Sequence, residues 1–165
     1  MKKNIFIASY PKSGNTWLRS ILTQLAFKKK EFSLSDINKI FLLSDKKNFI
    51  NFKDKIILEN GNLDFNWLSK NLIKCQLEIN SRKNYNKIYK THSIRSSYFT
   101  NETVNLGFIY IIRDPRDIVV SLSKHAGTTL DNTIDIMTNK KNLMSTANGA
   151  NELISTWGEN VISWL

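Results

Sequence analysis

The sequence predicts an α/β fold built on a mainly parallel central sheet. Short apolar runs of strand length alternate along the chain with longer segments whose apolar residues recur at helical spacing. Two of the strand-like runs lead through a turn directly into a helix, at residues 9–17 and 113–121. In parallel sheets, ligands collect where the carboxyl ends of strands meet helix N-termini. These two junctions are therefore the candidate ligand sites.

The first half of the chain begins with a strand, a turn and a helix. Residues 5–8 form a continuous apolar run, which is typical of a strand buried on both faces. Helical spacing then predicts a helix over residues 16–29, with an apolar face formed by Leu18, Ile21, Leu22, Leu25 and Ala26. Ser35 is predicted to cap a short helix. A further helix is predicted over residues 64–82, and strand-like alternation follows at 87–91.

The second half contains the longest apolar run. Residues 106–112 are predicted to form the most clearly buried strand of the chain. Asp114 is expected to cap a following helix that has Pro115 at its first position. Apolar residues at 153, 154, 157, 161 and 164 predict one final helix with an aromatic stripe. The segment between, residues 127–148, shows no clear pattern.

Composition indicates one folded domain over residues 1–165. Hydrophobic residues make up 41% of the chain and charged residues 23%, which excludes collagen-like and wholly disordered classes. The formal net charge of +10 favours an anionic ligand. The single cysteine, Cys75, excludes an intramolecular disulfide and is expected to be a buried thiol. No signal peptide or membrane-length apolar segment is present, so a cytoplasmic location is expected.

The first junction, Tyr10–Trp17, has the composition of an anion-binding turn. It places a lysine, two hydroxyls, a glycine and several backbone N–H groups at a helix N-terminus. The P-loop of nucleotide triphosphatases is a different pattern, because its lysine follows the second of two glycines, whereas Lys12 precedes Gly14. For the Lys-Ser-Gly tripeptide by itself, an ordinary strand-to-helix turn remains an alternative.

Taken together, the eight residues Tyr10–Trp17 resemble the 5′-phosphosulfate-binding loop of sulfotransferases that use 3′-phosphoadenosine 5′-phosphosulfate. Arg113 and Ser121, eight residues apart, resemble the pair that holds the donor's 3′-phosphate in that family. Residues 90–92, Lys-Thr-His, are similar to the strand-end segment that carries the family's catalytic histidine, and residues 157–164 are similar to its tryptophan-containing helix. The resemblance implies a three-layer, P-loop-like nucleotide-binding fold.

The resemblance also implies a role for each matching residue. His92 would take the proton of the acceptor, and a neutral imidazole at pH 7 suits that task. Lys12 would stabilise negative charge on the leaving phosphate, and Lys90 would lie near the transferring group. The donor-binding residues implied by the match are Lys12, Ser13, Gly14, Asn15, Thr16, Trp17, Arg113 and Ser121.

The co-substrate implied by the resemblance is 3′-phosphoadenosine 5′-phosphosulfate, and the acceptor is a small molecule with a hydroxyl or an amine. No metal is expected, because the two histidines lie far apart in the sequence and form no ligand cluster with Cys75. Family members continue through another strand and a basic Arg-Lys-Gly loop, so we expect a sulfotransferase domain that is truncated at its C-terminus. Trp157 and Trp164 would then lack their usual covering.

Two alternatives remain open at this point. A kinase-like phosphoryl transferase would also need a phosphate-binding turn, but the position of Lys12 and the lack of a metal-holding motif disfavour it. A basic module could bind nucleic acid through its charge. No stripe of basic and aromatic residues is visible, so we expect no nucleic-acid partner.

Overall fold

The protein is described by a computed structural model at residues 3–27, 33–45, 65–81, 87–97, 99–144 and 151–165. Its four-stranded sheet has the order β2-β3-β1-β4, with parallel pairing throughout. The strands of this sheet are β1 (Asn4–Ser9), β2 (Phe41–Leu42), β3 (Lys87–Thr91) and β4 (Asn105–Ile111). A separate antiparallel pair consists of β5 (Leu143–Met144) and β6 (Glu152–Leu153). The predicted α/β class with a parallel sheet is confirmed.

Five α-helices are described. They are α1 (Asn15–Phe27), α2 (Phe65–Ser81), α3 (Pro115–Ala126), α4 (Leu130–Thr138) and α5 (Trp157–Trp164). Short 3₁₀ helices cover Leu34–Lys39 and Glu102–Val104. The prediction for α3 is confirmed in detail, since Asp114 caps it by accepting a hydrogen bond from the Arg116 N–H and Pro115 lies in its first turn. No described helix has both the length and the apolar character needed to cross a membrane.

The core is built around β1, which lies between β3 and β4. Residues 6–8 are wholly buried, as the continuous apolar run predicts. Trp164 of α5 covers one face of the sheet, with its ring centroid 5.3 Å from that of Phe108, and its indole N–H donates to the Ser93 carbonyl at 2.9 Å. The expectation that Trp164 would lack a covering is wrong, because this packing leaves it 1% exposed; Trp157 is half-buried.

The prediction that residues 106–112 form the most buried strand is wrong. β4 is an edge strand of the described sheet, and Leu106 is 54% exposed and Ile109 44% exposed. Phe108 and Tyr110, which alternate with Ile109, pack against the cluster that contains Trp164. A continuous apolar run therefore does not distinguish an edge strand from a central one.

Apolar spacing predicts α1 correctly but not its buried face. The residues of α1 that are buried are polar, namely Asn15, Arg19 and Thr23. Several of its large apolar residues are exposed, namely Trp17, Ile21 and Leu25. The helix therefore turns polar side chains toward β1 and toward the 3₁₀ helix that follows α1. Residues 28 and 29, the predicted end of the helix, lie outside the described residues.

The boundaries of three other predicted elements differ from expectation. Ser33, not Ser35, caps the short helix through a capping box with Asp36, and that helix is 3₁₀. The final helix begins at Trp157, four residues later than predicted. Residues 152–153 lie in β6, and Ser155 has a φ of 59°, which is not helical, so Thr156 is the N-cap. α4 lies within residues 127–148, for which the sequence predicts no element. The Cys75 side chain is outside the described part of the structure.

Candidate active site

The candidate site lies where the parallel strands end. Ser9 at the end of β1 pairs in register with Ile111, and Ala8 pairs with Thr91. The segments that follow β1, β3 and β4 therefore leave the sheet at the same edge. This brings the loop 10–14, His92 and Arg113 together from distant parts of the sequence.

The loop between β1 and α1 has two residues in the left-handed region. Lys12 has φ of 66° and Gly14 has φ of 102°. The Ser13 N–H donates to the Tyr10 carbonyl at 3.3 Å, which closes the turn before α1 begins. Left-handed residues in such a turn direct successive N–H groups toward one side, as in backbone anion-binding sites. The φ values of Lys12 and Gly14 are thus compatible with a backbone anion site, and anion binding by the loop stays a prediction.

Gly14→Ala is expected to weaken anion binding through backbone strain. No atom lies within 4 Å of a Cβ built at Gly14, so the variant meets no steric clash, but its φ of 102° disfavours any side chain. We expect a loss of stability of about 1 kcal/mol and weaker binding of adenosine 3′,5′-bisphosphate. Urea unfolding and calorimetry measure the two effects. Gly158→Ala is the matched control, since Gly158 also has open space around its Cβ position and has no positive φ.

Ser13 fits a bound anion. Its side chain is buried, and its Oγ has no hydrogen-bond partner among the described residues. Buried hydroxyls are normally paired, so an unpaired one at a helix N-terminus is suited to a ligand oxygen. Thr16 is exposed at the start of α1, and Trp17 is 75% exposed, so its ring is accessible to a ligand and is not a core residue.

Asn15 turns its side chain back toward the sheet. Its Nδ2 donates to the Ile7 carbonyl and to Ser9 Oγ, each at 3.2 Å. These bonds fix the first turn of α1 on the end of β1. The side-chain amide thus holds the loop in place, and a contact with the donor remains a prediction.

His92 follows directly after β3 and is 7% exposed. Its Nδ1 lies 2.7 Å from the Ser9 carbonyl oxygen and 3.3 Å from Ser9 Oγ. A carbonyl only accepts, so the shorter contact assigns the ring proton to Nδ1. Nε2 is then the unprotonated nitrogen, and it is the atom that can take a proton.

The surroundings of His92 keep its ring neutral. Burial, followed by the positive charges of Lys90 and Arg19, lowers the pKa of His92 to about 3, and the hydrogen bond to the Ser9 carbonyl opposes this shift. Burial also lowers the pKa of Lys90, an effect that Glu152 opposes and Arg19 strengthens. The positive charges of Lys90 and Arg19 therefore both act on His92, which suits a ligand with negative charge.

Acidification is expected to destabilise the fold through His92. An unfolded chain has an imidazole pKa near 6.5, whereas the folded value is about 3. Between these values the unfolded chain binds a proton that the folded chain does not, so the free energy of unfolding falls as pH falls. Between about pH 7 and about pH 4, we expect the free energy of unfolding to fall by on the order of 3 kcal/mol more in the wild type than in His92→Asn. Urea unfolding at the two pH values measures this difference.

The control for this experiment is His125→Asn, which removes an exposed histidine from the last turn of α3. It should lose as much stability on acidification as the wild type does. An equal loss in His92→Asn and the wild type would contradict the burial of a neutral His92.

Arg113 contacts the loop directly. Its Nη1 donates to the Lys12 carbonyl at 3.1 Å, and its Nε lies 3.7 Å from the Asp117 carboxylate. Ser121 is half-buried and lies roughly 9 Å further along α3 than Pro115, at 1.5 Å per residue. Arg113 thus contacts the loop at residues 10–14, called the Lys12 loop below, whereas Ser121 lies further along α3.

Three buried residues near the site were not predicted from the sequence. Arg19 donates from Nη2 to the carbonyls of Ile37 and Ile40, at 2.8 and 2.9 Å. Asn160 donates to the His92 carbonyl at 2.9 Å, and Glu152 accepts from the His92 N–H at 3.0 Å. In the sequence, nothing separates these three polar residues from surface positions. Among the described residues, no three metal-ligating side chains form a group.

Comparison with known proteins identifies the family. A family model described as the sulfotransferase domain matches residues 2–165. The chain belongs to this family. No curated protein matches the sequence significantly.

A solved sulfotransferase-family structure shares the fold. It is a retinol dehydratase in complex with retinol and PAP, with a TM-score of 0.54 and 20% sequence identity. The match covers 99% of this chain and 51% of that protein, so the chain spans about half of its length. At this level of identity the similarity concerns the fold, and the predicted sulfotransferase fold is confirmed.

Proposed function

We propose that this chain, as a single domain, binds 3′-phosphoadenosine 5′-phosphosulfate and transfers its sulfuryl group to a hydroxyl or amine of a small molecule. The observation that carries the proposal is the position of His92 beside the Lys12 loop. His92 Nδ1 is bonded to the last residue of β1, and Arg113 is bonded to the loop that follows it. A base, a cationic loop and a second cation thus lie at one edge of the sheet.

Sulfuryl transfer needs a proton acceptor and a stabilised leaving group. His92 Nε2 takes the proton of the acceptor group while the acceptor's oxygen or nitrogen forms a bond to sulfur. The bond from sulfur to the bridging phosphate oxygen breaks, and adenosine 3′,5′-bisphosphate leaves. The Lys12 ammonium neutralises the charge that develops on that oxygen. Lys90 lies near the transferring group and adds positive charge.

Donor binding is assigned to the loop and to α3. Backbone N–H groups of residues 14–16 and the hydroxyls of Ser13 and Thr16 hold the 5′-phosphate, with Gly14 and Asn15 shaping the turn. The Ser13 N–H is bonded to the Tyr10 carbonyl and closes the turn. Trp17 offers a stacking face to adenine. Arg113 and Ser121 hold the 3′-phosphate. The unpaired Ser13 Oγ and the exposed Trp17 ring support this assignment.

The low pKa of His92 is consistent with a base that acts on a bound anionic donor. The value of about 3 reflects burial and the positive charges of Lys90 and Arg19, which the hydrogen bond to the Ser9 carbonyl opposes. A donor carrying several negative charges would offset Lys90 and Arg19, and would raise the pKa of His92 toward its ordinary value. The base would thus become stronger when the donor is in place.

A calorimetric titration with adenosine 3′,5′-bisphosphate, with ATP and AMP as comparators, tests donor binding. We expect a preference for the bisphosphate, and we expect Arg113→Ala to weaken it by about 10- to 100-fold, the value of a charged hydrogen bond. Arg116→Ala is the control, because Arg116 lies at the same helix end and its exposed guanidinium is bonded to Asp114.

The same titrations can contradict the proposal. If the folded chain binds none of the three nucleotides, its own residues do not form a donor site. Equal weakening in Arg113→Ala and Arg116→Ala would remove Arg113 from that site. Preference for ATP, with magnesium-dependent phosphoryl transfer, would favour the kinase-like alternative.

A further inference from the structure

A buried carboxylate lies behind the end of β3. Glu152 belongs to β6 and is 2% exposed. Burying a charge is costly unless it is paired and hydrogen-bonded, so a buried glutamate usually has partners that depend on it. Its hydrogen-bond partners are Thr91 and His92, the residue of the proposed base.

One oxygen of Glu152 anchors consecutive residues of the chain. Its Oε1 accepts from the Thr91 hydroxyl at 2.9 Å and from the His92 N–H at 3.0 Å. The Thr91 hydroxyl accepts in turn from the Ser93 N–H at 3.1 Å. Three successive residues at the end of β3 are therefore fixed by a single carboxylate oxygen.

The other oxygen is available for a charge interaction. Oε2 of Glu152 has no hydrogen-bond partner within the described part of the chain. The Lys90 ammonium interacts with this carboxylate, which opposes the fall that burial imposes on the pKa of Lys90. Burial raises the pKa of Glu152, and the His92 N–H and the Lys90 charge oppose that rise. Each group thus favours the ionised form of the other.

His92 is held at three points. Its N–H donates to Glu152, its carbonyl accepts from Asn160 Nδ2 at 2.9 Å, and its ring is bonded to the Ser9 carbonyl at 2.7 Å. Of these partners, only Glu152 has an ionisable side chain. Loss of Glu152 would therefore remove one of the two hydrogen bonds to the His92 backbone and, with it, the carboxylate that interacts with Lys90.

We propose that Glu152 is a positioning residue for the sulfuryl transfer proposed above: its hydrogen bonds fix the backbone of His92, and its negative charge offsets the positive charge of Lys90. It acts through these two residues and touches no substrate. The inference rests on the proposed function for its role in the reaction, whereas the anchoring itself is tested without any activity.

Two variants separate the hydrogen bonds from the charge. Glu152→Gln keeps an oxygen that accepts from Thr91 and His92 but has no charge, and Glu152→Ala removes both. NMR reports the titration midpoint of the Lys90 ammonium and the amide-proton shift of His92. We expect a lower Lys90 midpoint in both variants, and a displaced His92 amide signal in Glu152→Ala alone. Asp135→Asn, which removes an exposed carboxylate of α4, is the control for net charge.

Sulfuryl transfer adds a readout of the role in the reaction. Because small displacements of a reacting group are costly, we expect kcat to fall about 100-fold in Glu152→Ala and about tenfold in Glu152→Gln. A wild-type kcat in Glu152→Gln, despite a lowered Lys90 midpoint, would overturn that role. If Glu152→Ala does not fold, Glu152→Gln alone decides, through the Lys90 midpoint and kcat.

The outcomes distinguish this inference from the proposed function. An unchanged Lys90 midpoint in Glu152→Gln overturns the inference, whether or not the chain transfers sulfuryl groups. If both NMR signals respond as expected but the wild type transfers no sulfuryl group, the proposed function fails. Glu152 then anchors the end of β3 without positioning a reaction, and the inference fails in its catalytic part.

Discussion

Lys12→Met is expected to lower kcat for sulfuryl transfer by about 100- to 1,000-fold, the usual effect of removing one group that stabilises transition-state charge. Methionine keeps the length of the side chain and removes its charge. The bond that joins this residue to Arg113 uses the Lys12 carbonyl, so the substitution leaves it in place. Single-turnover rates with the phosphosulfate donor and a phenol or alcohol acceptor measure the effect.

The matched control is Lys141→Met, which removes an exposed lysine that follows α4. It changes the net charge equally and should leave kcat unchanged. Lys12→Arg should recover part of the loss, because it restores the charge in a different shape. Equal rates for Lys12→Met and the wild type would show that the leaving group is stabilised elsewhere.

The local parts of this fold were predictable from the sequence. The strand at residues 5–8 and the capped start of α3 depend on short-range patterns, and both are confirmed. The sequence also predicts that His92, Arg113 and the Lys12 loop lie close together, because parallel strands end at the same edge of a sheet. Family resemblance supplied the roles, and the roles of the individual residues stay predictions.

Features that depend on long-range contacts were not predictable. Whether residues 105–111 form a central or an edge strand depends on the strand order, which no local pattern encodes. The apolar spacing of α1 does not reveal that Arg19 is buried against carbonyls from residues 37 and 40. Both errors have the same cause: periodicity identifies an element, whereas burial is decided by what packs against it.

Glu152 shows the same limit at the site itself. It precedes Leu153 and Ile154, the first apolar residues of the predicted final helix, and nothing there indicates a buried carboxylate. Only the approach of β6 to the end of β3 brings it within 3.0 Å of the His92 N–H. A motif therefore predicts the residues that meet a ligand more readily than those that hold them in place.

His92→Asn is expected to lower kcat by about 100- to 10,000-fold while leaving the affinity for adenosine 3′,5′-bisphosphate unchanged. The amide of asparagine can donate to the Ser9 carbonyl as Nδ1–H does, so the ring's anchoring bond is retained in the variant. No atom of asparagine replaces the basic Nε2. The variant therefore removes the base and preserves the local hydrogen bond.

The second histidine supplies the control for this experiment. His125→Asn changes an exposed side chain in the last turn of α3 and should retain the wild-type rate. A rate within about threefold of wild type in His92→Asn would exclude His92 as the base, since general-base catalysis contributes far more than that. A weakened bisphosphate affinity together with a normal rate would instead assign the ring to donor binding. Loss of rate with unchanged affinity is the result expected if Nε2 takes the proton of the acceptor.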